Sequence, residues 1–143
     1  MIPNNTVQAA IISFLKSKVA ITSLLVDNAG VAHTDEIRES EWQGDTFSYP
    51  NIRVDLGTQE DVLAETNCNI SNITFSILVF SEMYSSKEAN SMAGVIENII
   101  HKKSITFGGV HFVRVTCTLV PAIRRDERTW RSEIICRSSI TLA

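Results

Sequence analysis

The fold of this chain is decided by residues 85–100, which read SSKEANSMAGVIENII. Apolar residues recur there at spacings of three and four, which predicts one face of an amphipathic helix: Ala89, Met92, Ala93, Ile96, Ile99 and Ile100. Ser85 with Glu88 three residues later is typical of a capping box at the helix start. Lys102 and Lys103 follow, where positive charge suits the negative end of the helix dipole. We therefore expect this helix to dock on a hydrophobic core.

Strand patterns flank this helix on both sides. Apolar and polar residues alternate, with many β-branched and aromatic side chains, over four segments: 52–56, 70–80, 110–120 and 130–141. Within the third segment the alternation predicts one shared apolar face for Val113, Val115, Cys117 and Leu119. Segments joined by short turns favour antiparallel pairing.

The remaining segments supply one or two helices and several connections. Residues 7–15 have helical apolar spacing after the N-cap candidates of residues 4–6, and a shorter helix is indicated by residues 19–25. Trp42, Phe47 and Tyr49 are expected to anchor a polar loop over 31–50. The acidic stretch 57–69 is either a loop or the projecting end of a long hairpin, and residues 121–128 indicate a hairpin tip.

Together these elements predict an α+β fold. The expected architecture is a mostly antiparallel sheet of about four strands, with two or three helices packed on one face. A length of 143 residues predicts a single domain over 1–143.

Composition argues against several classes of function. The hydrophobic content of 44% and charged content of 20% are ordinary for globular proteins, and the net charge of −3 provides no overall attraction to nucleic acid or an anionic membrane. The N-terminal sequence MIPNN is not typical of a signal peptide, and no apolar run is long enough to span a bilayer. We therefore expect an intracellular protein without a membrane partner.

No catalytic, metal or cofactor motif is found in the sequence. His33 stands beside Asp35 and Glu36, but this cluster is more typical of a solvated loop than of a metal or acid–base site. The cysteines Cys68, Cys117 and Cys136 lack metal-ligand spacing, and the last two fall on neighbouring predicted strands. We expect no cofactor and no enzymatic activity; a small enzyme or ligand-binding domain would need His33 or a cysteine in a pocket.

Charged residues concentrate at two predicted projections. The first is the arginine-rich hairpin end made of Arg124, Arg125, Asp126, Glu127 and Arg128, followed by Trp130. On residue type alone this end is most typical of a solvated turn with local arginine–carboxylate pairs. A contact with another subunit or a partner is the next interpretation, because arginine and tryptophan contribute strongly at protein interfaces, and a weak DNA contact is the third. The second projection is acidic and contains Glu60, Asp61 and Glu65.

The order of these features resembles the tail terminator, or tail completion, proteins of long-tailed phages, the lambda-type minor tail protein family. The residues that carry the resemblance are the N-terminal helix 7–15, the strands 52–56 and 70–80, the helix 85–100 and the arginine-rich end with Trp130. The arrangement covers nearly the whole chain, although residues 31–50 are longer and more polar than the family pattern.

The resemblance implies a structural virion protein that caps the tail tube as a homohexameric ring. Its implied partners are the tail tube protein and a head–tail connector or neck protein, with DNA only passing through the lumen. Its implied location is the head-proximal end of the tail, after assembly in the host cytoplasm. The alternative within the same class is another neck, head-completion or tail-tube protein.

Overall fold

The computed structural model describes residues 2–42, 44, 48–61 and 70–143 of the chain. In chain order its elements are α1 (Asn4–Ser17), α2 (Val19–Thr22), β1 (Ile37–Glu39), β2 (Asn51–Asp61), β3 (Ser71–Ser81), α3 (Lys87–Ile100), β4 (Lys103–Phe107), β5 (Val110–Arg124) and β6 (Trp130–Leu142). Within the described ranges the strands form one six-stranded sheet in the order β1-β2-β3-β6-β5-β4. β1 runs parallel to β2, and the other neighbouring pairs are antiparallel. The predicted α+β class and mostly antiparallel sheet are confirmed.

The predicted count of about four strands is wrong, because two short edge strands were missed. β1 has only three residues, two of them charged, within the segment 31–50 that was interpreted as a loop. β4 begins just after α3, so that Lys103 lies in a strand rather than at the end of a helix. Neither strand is long enough to show a clear alternation of apolar and polar residues.

The hydrophobic core lies on the face of the sheet that carries the helices. α1 contacts β1, β2 and β4, and α3 contacts β3, β4, β5 and β6. Four buried residues of β3 lie beneath the helices: Ile73, Phe75, Ile77 and Val79. The predicted apolar face of α3 is buried at Ala89, Met92, Ala93, Ile96 and Ile100. Burying each large side chain contributes on the order of 1.5–3 kcal/mol, so this face fixes α3 to the sheet.

Both predicted helix caps are wrong in their details. α1 begins at Asn4 with Pro3 as its N-cap, and the Pro3 carbonyl accepts from the amides of Thr6 and Val7 at 3.0 and 3.2 Å. α3 has Ser86 as its N-cap, without a side-chain cap hydrogen bond. Glu88 instead accepts a hydrogen bond at 2.8 Å from Ser81 Oγ, which ties the first turn of α3 to the end of β3.

A bulge in β5 explains why its predicted apolar face is only partly correct. Arg114 and Val115 together oppose the single Ser138 of β6, and Arg114 has a φ of 42°. The extra residue exchanges the two faces of the strand, so that Val115 points into the core while Val113 is 43% exposed. Leu119 lies opposite the buried Ile134, on the face predicted for it, but is 46% exposed.

The side chains of Asn90 in α3 and of His101, its C-cap residue, cover part of the edge of β5 that extends beyond its neighbour β4. β4 pairs with β5 only between Val110 and Val115. Beyond that point the Cys117 amide donates to Nδ1 of His101 at 2.9 Å, and the Ala122 amide donates to Oδ1 of Asn90 at 2.8 Å. These side chains take positions that a further strand would otherwise occupy.

Candidate interaction surface

β5 and β6, the longest of the described strands, form an antiparallel hairpin. β5 continues to Arg124, which lies opposite Trp130, so the turn comprises residues 125–129 rather than 121–128. The strand passes through Pro121 because the ladder has a register shift between Val120 and Ile123. Proline is tolerated at bulges and on edge strands, where a missing N–H removes no ladder hydrogen bond. We call residues 124–129 the arginine tip.

The arginine tip is held in shape by its own side chains. Arg124 donates through Nε to the Asp126 carbonyl at 3.0 Å and through Nη2 to the Glu127 carbonyl at 2.6 Å. The Asp126 carboxylate accepts from the amides of Arg128 and Thr129, both at 2.9 Å. Arg124 and Asp126 therefore shape the turn, which separates them in role from the other charged residues of the tip.

The backbone amide of Arg128, and then that of Thr129, lower the pKa of Asp126 below its ordinary value of 3.8. A carboxyl group with a lowered folded-state pKa stabilises the fold above its unfolded pKa and loses that contribution as pH falls through the folded one. We expect the amide resonances of Arg128 and Thr129 to titrate together in NMR spectra, with a midpoint below 3.8. Asp126→Asn is the control and should remove this titration, and a midpoint at or above 3.8 would contradict the assignment.

The outward side of the arginine tip is basic. Arg125, Glu127 and Arg128 are exposed, and their side chains make no hydrogen bond or ion pair with the described part of the chain. Two guanidinium groups thus face solvent beside the Glu127 carboxylate, and the charge of Arg125 also contributes to the lowered pKa of Asp126. Trp130 is the first residue of β6 after the turn and is half-buried between Ser81 of β3 and Arg124 of β5, so it belongs to the sheet more than to the tip.

Of the acidic stretch 57–69, the structure describes residues 57–61 as the end of β2, and residues 62–69 lie outside the described residues. β2 continues to Asp61, with a register shift between Leu56 and Gln59. Glu60 and Asp61 are exposed, and Asp61 accepts a hydrogen bond at 3.5 Å from Ser71 Oγ. Glu65 lies outside the described residues. We call Glu60 and Asp61 the acidic end.

The structure places the arginine tip and the acidic end at opposite ends of the sheet. Ser71, at the start of β3, pairs with Asp61, whereas Ser81, at its other end, pairs with Trp130. An 11-residue strand separates them, which corresponds to roughly 33 Å at about 3.3 Å per residue. The candidate residues therefore form two sites of opposite charge instead of one.

The charged cluster around His33 is divided among three partners. His33 Nε2 bonds Asp27 at 2.8 Å, and that bond is the main cause of the lowered pKa of Asp27. Asp35 pairs with Arg38 at 3.3 Å, while Glu36 is buried against Arg53. Among the residues that the structure describes, no group of three or more His, Cys, Asp or Glu side chains could hold a metal ion.

The buried pair of Arg53 and Glu36 was missed by the sequence analysis. The guanidinium donates to the Glu36 carboxylate at 3.1 Å and to the Glu36 carbonyl at 2.9 Å. Trp42 lies alongside, with its ring centroid 3.8 Å from Arg38 and 5.6 Å from Arg53. Trp42 thus anchors the segment 31–42 to β2, as predicted, whereas Phe47 lies outside the described residues.

None of the helices in the described part of the chain has the length and apolar character needed to cross a membrane.

Comparison with known proteins finds similarity in structure alone. No protein-family model and no curated protein sequence matches the chain. A chain in a structure described as the virion of a native gene transfer agent particle superposes with a TM-score of 0.62 at 17% identity, over 93% of this chain and 92% of that chain. A second solved structure, which carries no functional name, has a TM-score of 0.62 at 8% identity over 100% and 99% of the two chains. At these identities the similarity establishes a shared fold.

Proposed function

We propose that this chain is a structural protein of a phage-like virion, and that it caps the tail tube as a ring subunit. Two independent points support this function. The order of its sequence features resembles the tail terminator family, and its fold matches a chain of a gene transfer agent virion over nearly the full length of both. The proposed role is assembly rather than catalysis.

The observation that carries the proposal is the separation of the arginine tip from the acidic end. A closed ring needs a heterologous interface, in which two different surfaces of one subunit meet the complementary surfaces of its neighbours. Arg125 and Arg128 at one end of the sheet, and Glu60 and Asp61 at the other, are two such surfaces of opposite charge. Charge complementarity of this kind fixes register and suppresses wrong pairings.

The ring would place one face on the last tube ring and the other toward a connector or neck protein. Six subunits are expected from the family resemblance. The net charge of −3 suits a lumen through which DNA passes with little binding.

Charge reversal tests the contact between subunits. Arg125→Glu with Arg128→Glu should abolish the ring, because like charges would then face each other, and Glu60→Lys with Asp61→Lys should do the same. Combining all four changes should restore assembly, since the charges become complementary again. The measurement is mass photometry over a concentration series, with and without tail tube protein.

A matched control reverses two lysines elsewhere, with Lys16→Glu and Lys103→Glu, and should leave assembly unchanged. Circular dichroism of each variant separates loss of assembly from loss of folding. Rings formed equally well by the arginine-reversed variant and by the parent protein would exclude the tip as a subunit contact.

Labelling of assembled particles tests the location separately. Antibody-gold directed at this chain should mark the head-proximal end of the tail in electron micrographs. Label distributed along the tube would instead identify a tube subunit, and label on the head would identify a head-completion protein.

A further inference from the structure

Two cysteines face each other across the β5–β6 hairpin, away from both charged ends. Cys117 and Cys136 are directly opposite residues in the antiparallel ladder, as expected for neighbouring predicted strands, and their sulfur atoms are 3.5 Å apart. Both are free thiols; Cys136 is fully buried, whereas Cys117 is half-buried. The partly exposed sulfur of Cys117 is therefore next to a second sulfur, that of Cys136, which lies inside the core.

The backbone hydrogen bonds place this pair in a geometry that suits a disulfide. The Cys117 amide points to His101 and so away from β6. In an antiparallel ladder this makes Cys117 and Cys136 a non-hydrogen-bonded pair, with Cα atoms about 4.5 Å apart and side chains close together. Disulfides span Cα separations of about 4.4–6.8 Å with sulfurs about 2.05 Å apart. Rotation of the side chains can close the bond while the strands stay in register.

The two sulfurs also differ in acidity. Hydrogen bonding to Cys136 lowers the pKa of Cys117, whereas the hydrogen bond to Cys117 and burial raise the pKa of Cys136. The thiolate is the nucleophile in thiol–disulfide exchange. The half-buried Cys117 is therefore the sulfur that reacts first, with Cys136 held behind it as the resolving thiol.

We propose that Cys117 and Cys136 form a reversible oxidation site that reacts with a low-molecular-weight disulfide such as glutathione disulfide. The Cys117 thiolate attacks one sulfur of that disulfide, its S–S bond breaks, and one glutathione thiolate leaves and takes a proton from water. Cys136 then attacks the Cys117 sulfur, the bond from Cys117 to glutathione breaks, and the second glutathione leaves as a thiol with the proton that Cys136 gives up. Two protein thiols are oxidised to one disulfide, and one glutathione disulfide is reduced to two thiols.

The test uses the full chain carrying Cys68→Ser, which removes the cysteine that lies outside the described residues. The folded protein is equilibrated in buffers of increasing glutathione disulfide to glutathione ratio, quenched with acid, alkylated and weighed by intact mass spectrometry. We expect the oxidised protein to take up no alkylating group and to weigh two hydrogen atoms less than the unalkylated reduced protein. Dithiothreitol should return both alkylation sites.

Two further variants resolve the order of the steps. Adding Cys136→Ser should stop the reaction at a glutathione adduct on Cys117, and adding Cys117→Ser should abolish reaction in the folded protein. Thiols that stay reduced in every buffer while circular dichroism shows the native fold would overturn the proposal, and so would oxidation only in denaturant. The chemistry needs a single subunit, so its failure would leave the proposed ring function unaffected.

Discussion

Replacing Glu36 with alanine is expected to lower the free energy of unfolding by about 3–5 kcal/mol, the usual cost of breaking a buried ion pair by removing one partner. The Glu36 and Arg53 side chains are 4% and 6% exposed, so the guanidinium stays in the interior after the carboxylate that it is paired with has gone. Urea unfolding followed by circular dichroism measures the effect.

Asp35 provides a matched control next to Glu36 in the chain. It pairs with Arg38 at 3.3 Å, but its side chain is 74% exposed, and exposed pairs contribute about 0–1 kcal/mol. Asp35→Ala should therefore be nearly neutral. If Glu36→Ala and Asp35→Ala lowered the free energy of unfolding equally, the buried pair would not be what holds the segment 36–42 against β2.

Replacing Ile96 with alanine is expected to cost about 2–5 kcal/mol, since deletion of a buried aliphatic side chain leaves a cavity as well as removing its transfer free energy. Ile96 is fully buried at the centre of the α3 face that packs on β3, β5 and β6. Thermal and urea unfolding measure the loss.

Asn98 lies on the exposed side of the same helix. Asn98→Ala should change the free energy of unfolding by no more than about 0.5 kcal/mol, as is usual for surface substitutions. A small effect at Ile96, close to that at Asn98, would mean that α3 is not fixed to the sheet by its apolar face.

The sequence predicted the elements whose periodicity is long and unbroken. α3 and β3 bury most of the residues that the pattern selected, because one face of each packs on a single core, although Ile99 is only partly buried. β1 has three residues, too few to show a pattern. The bulge at Arg114 places the residues after it on the opposite face of β5 from the one that a regular strand would give them. The alternation of apolar and polar residues does not indicate where such an extra residue is inserted.

The candidate site was predicted in composition but not in the roles of its residues. Arg124 and Asp126 shape the turn, whereas Arg125 and Arg128 face outward, and this division depends on local hydrogen bonds that residue type does not determine. The burial of Arg53 was missed because the polar face of a half-buried strand is expected to be exposed to solvent. Only the folded structure shows that Glu36 lies against that face and pairs with Arg53. The single domain over 1–143, the ring size and the partners stay predictions.

The hydrogen bonds from His101 and Asn90 to the edge of β5 have a consequence for aggregation. The unpaired N–H and C=O groups of an open strand edge can pair with the same edge of another copy, and repeated pairing of that kind builds fibrils. Here the amides of Cys117 and Ala122 are already bonded to the side chains of His101 and Asn90. Copies at high local concentration are thereby hindered from pairing along this backbone edge and left to meet through side chains.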